Sequence, residues 1–224
     1  MLKWNNYYGL NLTEHEIKSG SHRLYVGGNW EIIGKLQFDF LVKQGLLPNH
    51  QLLDVGCGSL RGGIHFIKYL KSGNYYGMDI NSSLIKAGKF ELKRANLVHK
   101  QPNLLVDDTF SFKKFNQEFD FAIAHSLFTH LPLNVIKDCL LNMEKVLKKE
   151  GTFFATFFES KEKNNKKPIK QSSGIITYPN KNPYHYQLFD FDRLIKGSSL
   201  ELKYIGNWGH SRNQKMLCFK KKSP

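Results

Sequence analysis

The feature that most constrains the fold of this chain is an alternation of short apolar runs and amphipathic segments that begins at residue 51. The runs QLLDV, YYGMDI, NLLVDD, FDFAIAH and TFFATFFE predict strands. Between them, GGIHFIKYLK, SSLIKAGKFELKRANL and PLNVIKDCLLNMEKVLKKEG (132–151) predict helices, the last with Pro132 in its first turn and Gly151 at its end. Apolar strands separated by helices indicate a parallel sheet that is covered on both faces. We therefore predict a doubly wound α/β fold.

The two ends of the chain extend this pattern. Residues 1–50 contain a candidate capping box, Thr13 with Glu16, and a helical segment EIIGKLQFDFLVKQG, and predict an N-terminal helical extension or lid. Residues 51–224 form the main predicted domain, and LELKYIGNWG and QKMLCFKKK predict an antiparallel hairpin at its end. The long polar stretch 159–188 between them predicts a lid or substrate loop, with plain flexible surface as the alternative.

The charge of the chain favours acidic partners. Its 33 Lys and Arg residues against 19 Asp and Glu residues give a formal net charge of +14, which suits nucleic acid, a phosphorylated metabolite or an anionic membrane surface. The lysines cluster in KEKNNKKPIK and in a terminal KKK run, however, and such runs are more often solvated surface. We therefore expect a small-molecule substrate, with an acidic or phosphorylated one among the candidates, rather than nucleic acid. The sequence gives no indication of oligomeric state.

Composition also limits location and metal chemistry. No apolar run approaches the ~20 residues of a membrane-spanning helix, and the first residues lack the layout of a signal peptide, so we predict a cytoplasmic protein without a membrane span. Three cysteines without paired spacing, Cys57, Cys139 and Cys218, suggest neither a disulfide framework nor a zinc site. No metal site is predicted.

A glycine-rich turn, LLDVGCGSLRGG at residues 52–63, follows the first predicted strand. Gly56 and Gly58 fit the G-x-G-x-x-G pattern of dinucleotide sites, but Arg61 stands at the third glycine position. Asp54 is a second departure, because a carboxylate there would repel a pyrophosphate. It suits a cationic ligand instead, such as S-adenosylmethionine with its sulfonium and ammonium groups.

Two further acids follow later strands. Asp79 ends the second strand, where a carboxylate can accept hydrogen bonds from both ribose hydroxyls, a feature shared with dinucleotide enzymes. Asp108, followed by Thr109 and Phe110, ends the third strand and suits the edge of an adenine ring. The alternative is that these acids serve as helix caps or turn residues.

The motifs LLDVGCGSLRGG, YYGMDI, VDDTF, FDFAIAHSLFTHL and LKKEGTFFATF, in this order and spacing, resemble those of class I, Rossmann-like S-adenosylmethionine-dependent methyltransferases over roughly residues 50–160. The resemblance implies a seven-stranded sheet with six parallel strands and one antiparallel strand in the C-terminal hairpin. It also implies that the cofactor is S-adenosylmethionine. The sequence departs from the common pattern at Leu60, where many members have a third glycine.

The resemblance implies roles for individual residues. Asp54, Gly56 and Gly58 would hold the methionyl end of the cofactor, Asp79 the ribose and Asp108 the adenine. The other residues that we assign to cofactor binding are Cys57, Ile80, Thr109 and His125.

The loop after the fourth strand, AHSLFTHLP, is expected to face the transferred methyl group, because ligands bind outside the carboxyl ends of the strands. His130 in this loop is our candidate general base, with packing at the start of the Pro132 helix as the alternative. C-terminal loops usually cover the substrate in this fold, and their aromatic and basic residues could hold a sugar ring or an acidic group. The candidate substrate residues are His185, Tyr186, His210 and Lys215.

These residues favour one function over three others. The motifs SLRGG, GNW and WGHSRNQKM resemble those of methyltransferases of sugar and secondary-metabolite pathways. The leading hypothesis is therefore a methyltransferase that acts on an oxygen of a small polar metabolite of that type. The alternatives are an RNA methyltransferase or RNA-binding module, a cofactor-binding protein without catalysis, and a dehydrogenase.

Overall fold

The structure is a computed structural model that describes residues 6–161 and 167–222. Within it the chain divides into two compact units. The N-terminal unit is Asn6–Thr109, and the C-terminal unit begins at Phe110.

The N-terminal unit is a small parallel sheet with helices. Its three strands are β1 (Leu52–Val55), β2 (Tyr75–Asp79) and β3 (Asn103–Val106). They pair in the order β3-β2-β1, and both pairings are parallel. Its helices are α1 (Glu14–Ser19), α2 (His22–Tyr25), α3 (Trp30–Lys43), α4 (Gly63–Tyr69) and α5 (Ser82–Arg94), with 3-10 turns at Asn6–Gly9 and Val98–Lys100.

The first residues of this unit pack onto α5. The predicted capping box is confirmed, since the Thr13 hydroxyl accepts from the Glu16 backbone and the Glu16 carboxylate accepts from the Thr13 backbone. Behind this cap, Leu12 and Ile17 are buried in one cluster with Leu84 and Ala87 of α5. Apolar burial therefore holds the N-terminal segment on the helix that follows β2.

The C-terminal unit contains two main parallel strands and a hairpin. Its elements are β4 (Phe119–Ala124), α6 (Leu133–Glu144), β5 (Leu147–Glu159), β6 (Ile169–Lys170), β7 (Ile176–Thr177), β8 (His185–Tyr186), α7 (Leu188–Leu194), β9 (Leu200–Gly206) and β10 (Lys215–Lys221), with 3-10 turns at Phe112–Phe115 and Phe128–His130. β4 pairs with β5 in parallel, and β10 lies antiparallel between β5 and β9. The predicted hairpin is therefore confirmed. A short parallel pairing also joins β8 to the end of β5.

One predicted boundary is wrong. The helix that we placed over 132–151 ends at Glu144, and residues from Leu147 onward belong to β5. The pairing of β4 with β5 shifts register between Phe119 and Phe121, and Glu150 there has a left-handed φ of 61°. A Cβ atom on Gly151 would stand 2.8 Å from the carbonyl oxygen of Lys148. Gly151 thus permits a bulge in a strand and does not end a helix.

The α/β fold class is confirmed: the strands are mostly parallel, the antiparallel strands lie at the C-terminus, and helices precede β1. The stretch 159–188 is more regular than a plain loop, because its described part includes three short strands, β6, β7 and β8. No helix within 6–161 and 167–222 is both long and apolar enough to cross a membrane.

Candidate functional site

The glycine-rich turn after β1 adopts backbone conformations that favour glycine. Gly56 and Gly58 have φ values of 73° and 54°. Leu60 also has a positive φ, 70°, although it carries a side chain. The turn therefore follows a left-handed path at residue 60, and the leucine there is buried.

Asp79 lies at the centre of the three strand ends of the N-terminal unit. Its carboxylate accepts from the Gly58 amide (2.9 Å) and from the Asn81 amide (2.9 Å). Its carbonyl accepts from the Asp107 amide (3.0 Å), so it links the turns after β1, β2 and β3. Burial raises the pKa of Asp79 to about 6, against the opposing effect of these amides. Each carboxylate oxygen can still accept a further hydrogen bond, as a ribose diol would require.

Asp54 is more enclosed than we expected for a residue that touches a ligand. It is 4% exposed, and the hydroxyl of Tyr75 on β2 donates to its Oδ2 atom (2.7 Å). The net pKa of Asp54 is raised to about 7: burial raises it most, the hydrogen bond from Tyr75 lowers it, the charge of Asp79 raises it and the charge of Arg61 lowers it. Sequence reasoning missed Tyr75, which nothing in the strand pattern distinguishes from an ordinary core residue.

The charges of Asp54 and Asp79 favour S-adenosylmethionine over a dinucleotide. Asp54 and Asp79 are both buried carboxyls with raised pKa values. A ligand cation and ligand hydroxyl donors would stabilise their ionised forms, whereas a pyrophosphate would oppose them. S-adenosylmethionine offers a sulfonium, an ammonium and a ribose diol, so the residues present fit this cofactor.

The other candidate cofactor residues lie on the same three turns. Cys57 is buried, and this burial raises the pKa of its thiol. Its sulfur packs against Gly77, where a Cβ atom would stand only 3.0 Å from it. Ile80 directly follows Asp79 and is half-buried. Asp108 is half-buried, and its charge adds to burial in raising the pKa of Tyr8. Thr109 is exposed and donates from its amide and hydroxyl to Asp107, so Asp107, which we did not single out, shapes this turn.

The N-terminal segment lies against these turns. A Cβ atom on Gly58 would stand only 2.9 Å from the Cγ1 atom of Val26, so Val26 packs against this glycine. The guanidinium of Arg61 donates to the carbonyl of Gly28 (2.9 Å). The side-chain amide of Asn81 donates to the carbonyls of Tyr7 and Leu10 (2.7 Å each). Residues 7–28 therefore contact the turns after β1 and β2, which sequence reasoning did not locate.

In the C-terminal unit, the loop after β4 carries the two candidate histidines. His125 lies in a cluster of three rings, with its centroid 5.7 Å from that of Trp208 and 5.1 Å from that of His210. Trp208 stacks on His210 and donates to the carbonyl of Gln214 (3.0 Å). The structure thus brings His125, a candidate cofactor residue, together with His210, a candidate substrate residue.

His130 is hydrogen-bonded to a residue in the stretch that precedes β8. Its Nδ1 atom lies 2.7 Å from the Oδ1 atom of Asn182, which sequence reasoning missed. Burial lowers the pKa of His130, the bond to Asn182 raises it, and the charge of Arg212 lowers it. The imidazole is therefore neutral at neutral pH. Because Asn182 Oδ1 can only accept, Nδ1 carries the proton and Nε2 carries the lone pair.

The remaining candidate substrate residues make internal contacts. His185 is buried with its Nδ1 atom 2.9 Å from the Thr177 hydroxyl, and the buried Tyr186 hydroxyl donates to the carbonyl of Leu131. These contacts favour a structural role for the pair, and their role in substrate binding stays a prediction. Lys215 begins β10 and donates to the side chains of Asn207 and Asn213.

The chain matches one family model and is similar to several solved structures. The family model described as "Methyltransferase domain" matches residues 53–153, which include the glycine-rich turn, Asp79, Asp108 and the histidine loop. A magnesium protoporphyrin IX methyltransferase from Synechocystis PCC 6803 with bound S-adenosylmethionine is 14% identical, with a TM-score of 0.62 over 98% of this chain and 89% of that one.

Two further solved structures share the fold. An S-adenosylmethionine-dependent methyltransferase from Clostridium acetobutylicum ATCC 824 is 11% identical, with a TM-score of 0.67 over 94% of this chain and 100% of that one. A putative rRNA methylase from Clostridium thermocellum is 12% identical, with a TM-score of 0.58 over 84% and 94%. One fold thus carries enzymes named for a porphyrin and for RNA, so it does not name the acceptor. Residues 53–153 match the model of a methyltransferase domain, and the three solved structures share the fold of this chain.

Proposed function

We propose that the protein transfers a methyl group from S-adenosylmethionine to an oxygen of a small polar metabolite, of the sugar or secondary-metabolite type. The observation that carries this proposal is the neutral His130, whose Nδ1–H is held by Asn182 so that Nε2 can accept a proton. A hydroxyl acceptor must lose a proton when its oxygen is methylated, and a neutral imidazole of lowered pKa suits that task.

The cofactor supplies an electrophilic methyl carbon on its sulfonium, and the protein residues align the reactants around it. Asp79 would accept the ribose hydroxyls, Asp108 would accept from the adenine amino group, and the turn Gly56–Gly58 would lie against the methionyl end. His125, Trp208 and His210 would offer ring faces and ring nitrogens to the acceptor.

We also propose that residues 7–28 act as a cover on the cofactor. Their contacts with Gly58, Arg61 and Asn81 support this role, since they lie on the turns that would hold the ligand.

The experiment measures two things in order. Calorimetric titration with S-adenosylhomocysteine should give binding that Asp79→Ala abolishes. Methyl transfer from the labelled cofactor to a panel of sugars, sugar phosphates and small alcohols should then identify an acceptor, and the His130→Gln variant should bind cofactor but transfer slowly. Cofactor binding with no labelled product from the panel or from any fraction of a cell extract would contradict the proposal and leave a non-catalytic binding protein.

Methylation of RNA is a second candidate, which the net charge of +14 favours. Labelled transfer to bulk tRNA or rRNA, with an affinity that falls steeply with salt, would support it. Absence of transfer and of salt-dependent binding would exclude it.

A further inference from the structure

A cleft of about 1130 Å³ opens in the C-terminal unit beside the end of β5. Its walls come from the residues that follow β5, the start of α7, the end of β9 and the first residue of β10. Ligands of open α/β sheets bind outside the carboxyl ends of the parallel strands, and the end of β5 is such a position. Neither the ring cluster of His125 nor His130 lines this cleft.

Lys215 places a buried cation in the cleft. The residue is only 8% exposed, and its ammonium donates to two neutral amides, on Asn207 and Asn213. In the described parts of the chain, no carboxylate lies within ion-pair distance of it. A buried charge without a counter-charge is costly, and an anionic ligand group would supply the missing partner.

Ser160 provides a second and independent observation. It lines the cleft and is 5% exposed, and its hydroxyl has no hydrogen-bond partner among residues 6–161 and 167–222. Buried hydroxyls are nearly always hydrogen-bonded, so an unsatisfied one on a residue that lines a cleft is a candidate partner for a ligand atom. A hydroxyl and an ammonium on residues of one cleft are donors that suit a phosphate or carboxylate oxygen.

The rest of the wall suits the body of such a ligand. Burial raises the pKa of Tyr204 to about 12, and the hydrogen bond from its hydroxyl to Glu159, the acidic residue of the cleft, is the second cause. Phe189 and Tyr204 are 62% and 39% exposed and present ring surface to the cleft. Aromatic faces pack against sugar rings and other flat apolar faces.

We propose that this cleft binds the methyl acceptor through an anionic group, a phosphate or a carboxylate, which the Lys215 ammonium and the Ser160 hydroxyl hold while Phe189 and Tyr204 pack on its body. The proposal rests on the function proposed above, because it takes the occupant to be the acceptor. It narrows the acceptor class from polar metabolites to acidic ones.

The test compares charged and neutral probes of one shape. The whole chain of 224 residues, with S-adenosylhomocysteine added, is titrated with glucose 6-phosphate, glucuronate and glucose, and binding is followed by NMR. We expect at least one of the two acidic probes to bind about tenfold or more tightly than glucose, and the tighter of the two identifies phosphate or carboxylate as the group. Equal binding of all three probes, or binding of none, overturns the proposal.

Three variants assign the effect to the cleft. Lys215→Met should weaken binding of the acidic probe about tenfold or more, and Ser160→Ala should weaken it severalfold. Ser160→Ala removes a hydroxyl without a partner, so its folding should be unaffected even if Lys215→Met is unstable. Lys203→Met removes the same charge from an exposed position on β9 and should bind as the unmodified protein does.

An equal loss in Lys203→Met, or no loss in Ser160→Ala, overturns the proposal. Binding of S-adenosylhomocysteine separates this failure from failure of the proposed function. If the cofactor product binds but acidic probes do not, only the cleft assignment is wrong. If S-adenosylhomocysteine does not bind, the proposed function itself fails.

Discussion

Leu60 of the glycine-rich turn lies against Gly88 of α5, so closely that a Cβ atom on residue 88 would stand 2.9 Å from the Cγ atom of Leu60. Gly63 packs against Leu60 equally closely, since a Cβ atom on residue 63 would stand 2.9 Å from Leu60 Cδ2. Leu60 is fully buried despite its φ of 70°. Two glycines thus make room for the leucine side chain of this turn.

This packing predicts an inverted effect of Gly88→Ala. In a helix interior the change normally stabilises by about 0.5–1 kcal/mol, but here overpacking should lower the free energy of unfolding by about 1–3 kcal/mol. Leu60→Ala should cost about 2–5 kcal/mol. In that background the second alanine no longer meets Leu60 Cγ, so Gly88→Ala should become neutral or stabilising.

Urea unfolding of the four proteins of this double-mutant cycle measures the coupling directly. Lys89→Ala, at an exposed position on the same helix, serves as the control and should change stability by no more than about 0.5 kcal/mol. Additive effects of the two substitutions would show that Leu60 and Gly88 do not constrain each other.

Glu91 of α5 holds the N-terminal segment through buried charge. It is 3% exposed, lies 2.9 Å from His22 Nε2, and accepts two hydrogen bonds from Arg23 (2.8 Å each). Glu91→Gln should lower the free energy of unfolding by about 3–5 kcal/mol, because Arg23 loses a buried counter-charge. Glu14→Gln, which removes two exposed ion pairs at 3.5 and 3.7 Å, should cost only about 0–1 kcal/mol. Equal losses in the two variants, measured by thermal unfolding, would contradict this.

The strand and helix pattern was predictable because buried parallel strands are apolar and their helices are amphipathic, and both signals are local. The boundary between α6 and β5 was not. Residues 145–150 have good helix formers, yet Leu147 pairs with Phe119 and Lys148 forms an ion pair with Asp120 (2.8 Å). These partners lie far away in sequence, so tertiary pairing outweighed local propensity.

The candidate site also contains residues that could be predicted from the sequence and residues that could not. Asp54, Asp79 and Asp108 stand beside strand ends, so their positions follow from the fold and the motif spacing. Their partners do not: Tyr75 holds Asp54, and Asn182 holds His130 from 52 residues away. Such contacts depend on how side chains from separate elements meet, which no periodicity in the sequence records.

The raised pKa values of Asp54 and Asp79 predict a pH dependence of cofactor binding. In the ligand-free protein the pKa of Asp54 is about 7 and that of Asp79 is about 6, and a cationic ligand favours the ionised forms of both. Affinity for S-adenosylmethionine should therefore rise from pH 5.5 to 7.5, with release of protons on binding. Calorimetry in two buffers of different ionisation enthalpy measures this release, and Asp54→Asn should reduce it. A flat affinity across this window would mean that neither group is coupled to the ligand.

The same shifts predict the stability of the ligand-free protein. Both folded pKa values lie above the ordinary value of 3.8, so the folded state binds more protons than the unfolded state between about pH 4 and 7. The contribution of these two groups to stability is therefore fully present below pH 4 and is lost as pH rises through 7. Comparison of Asp54→Asn with the unmodified protein across this range isolates the share that Asp54 contributes, and parallel curves would refute it.

The hydrogen bond between His130 and Asn182 allows a test of whether His130 acts as a general base or has only a structural role. His130→Gln should lower kcat about 10²–10⁴-fold with cofactor affinity unchanged, because no group then accepts the acceptor's proton. Asn182→Ala keeps the imidazole but removes the acceptor that fixes its tautomer. Because the bond to Asn182 raises the pKa of His130, this variant should move the acidic limb of the kcat profile to lower pH while it lowers kcat. The exposed His99→Gln is the control and should leave the profile unchanged. A histidine that only packs would give a stability change with no shift of the limb, and unchanged turnover in His130→Gln would remove it from the chemistry.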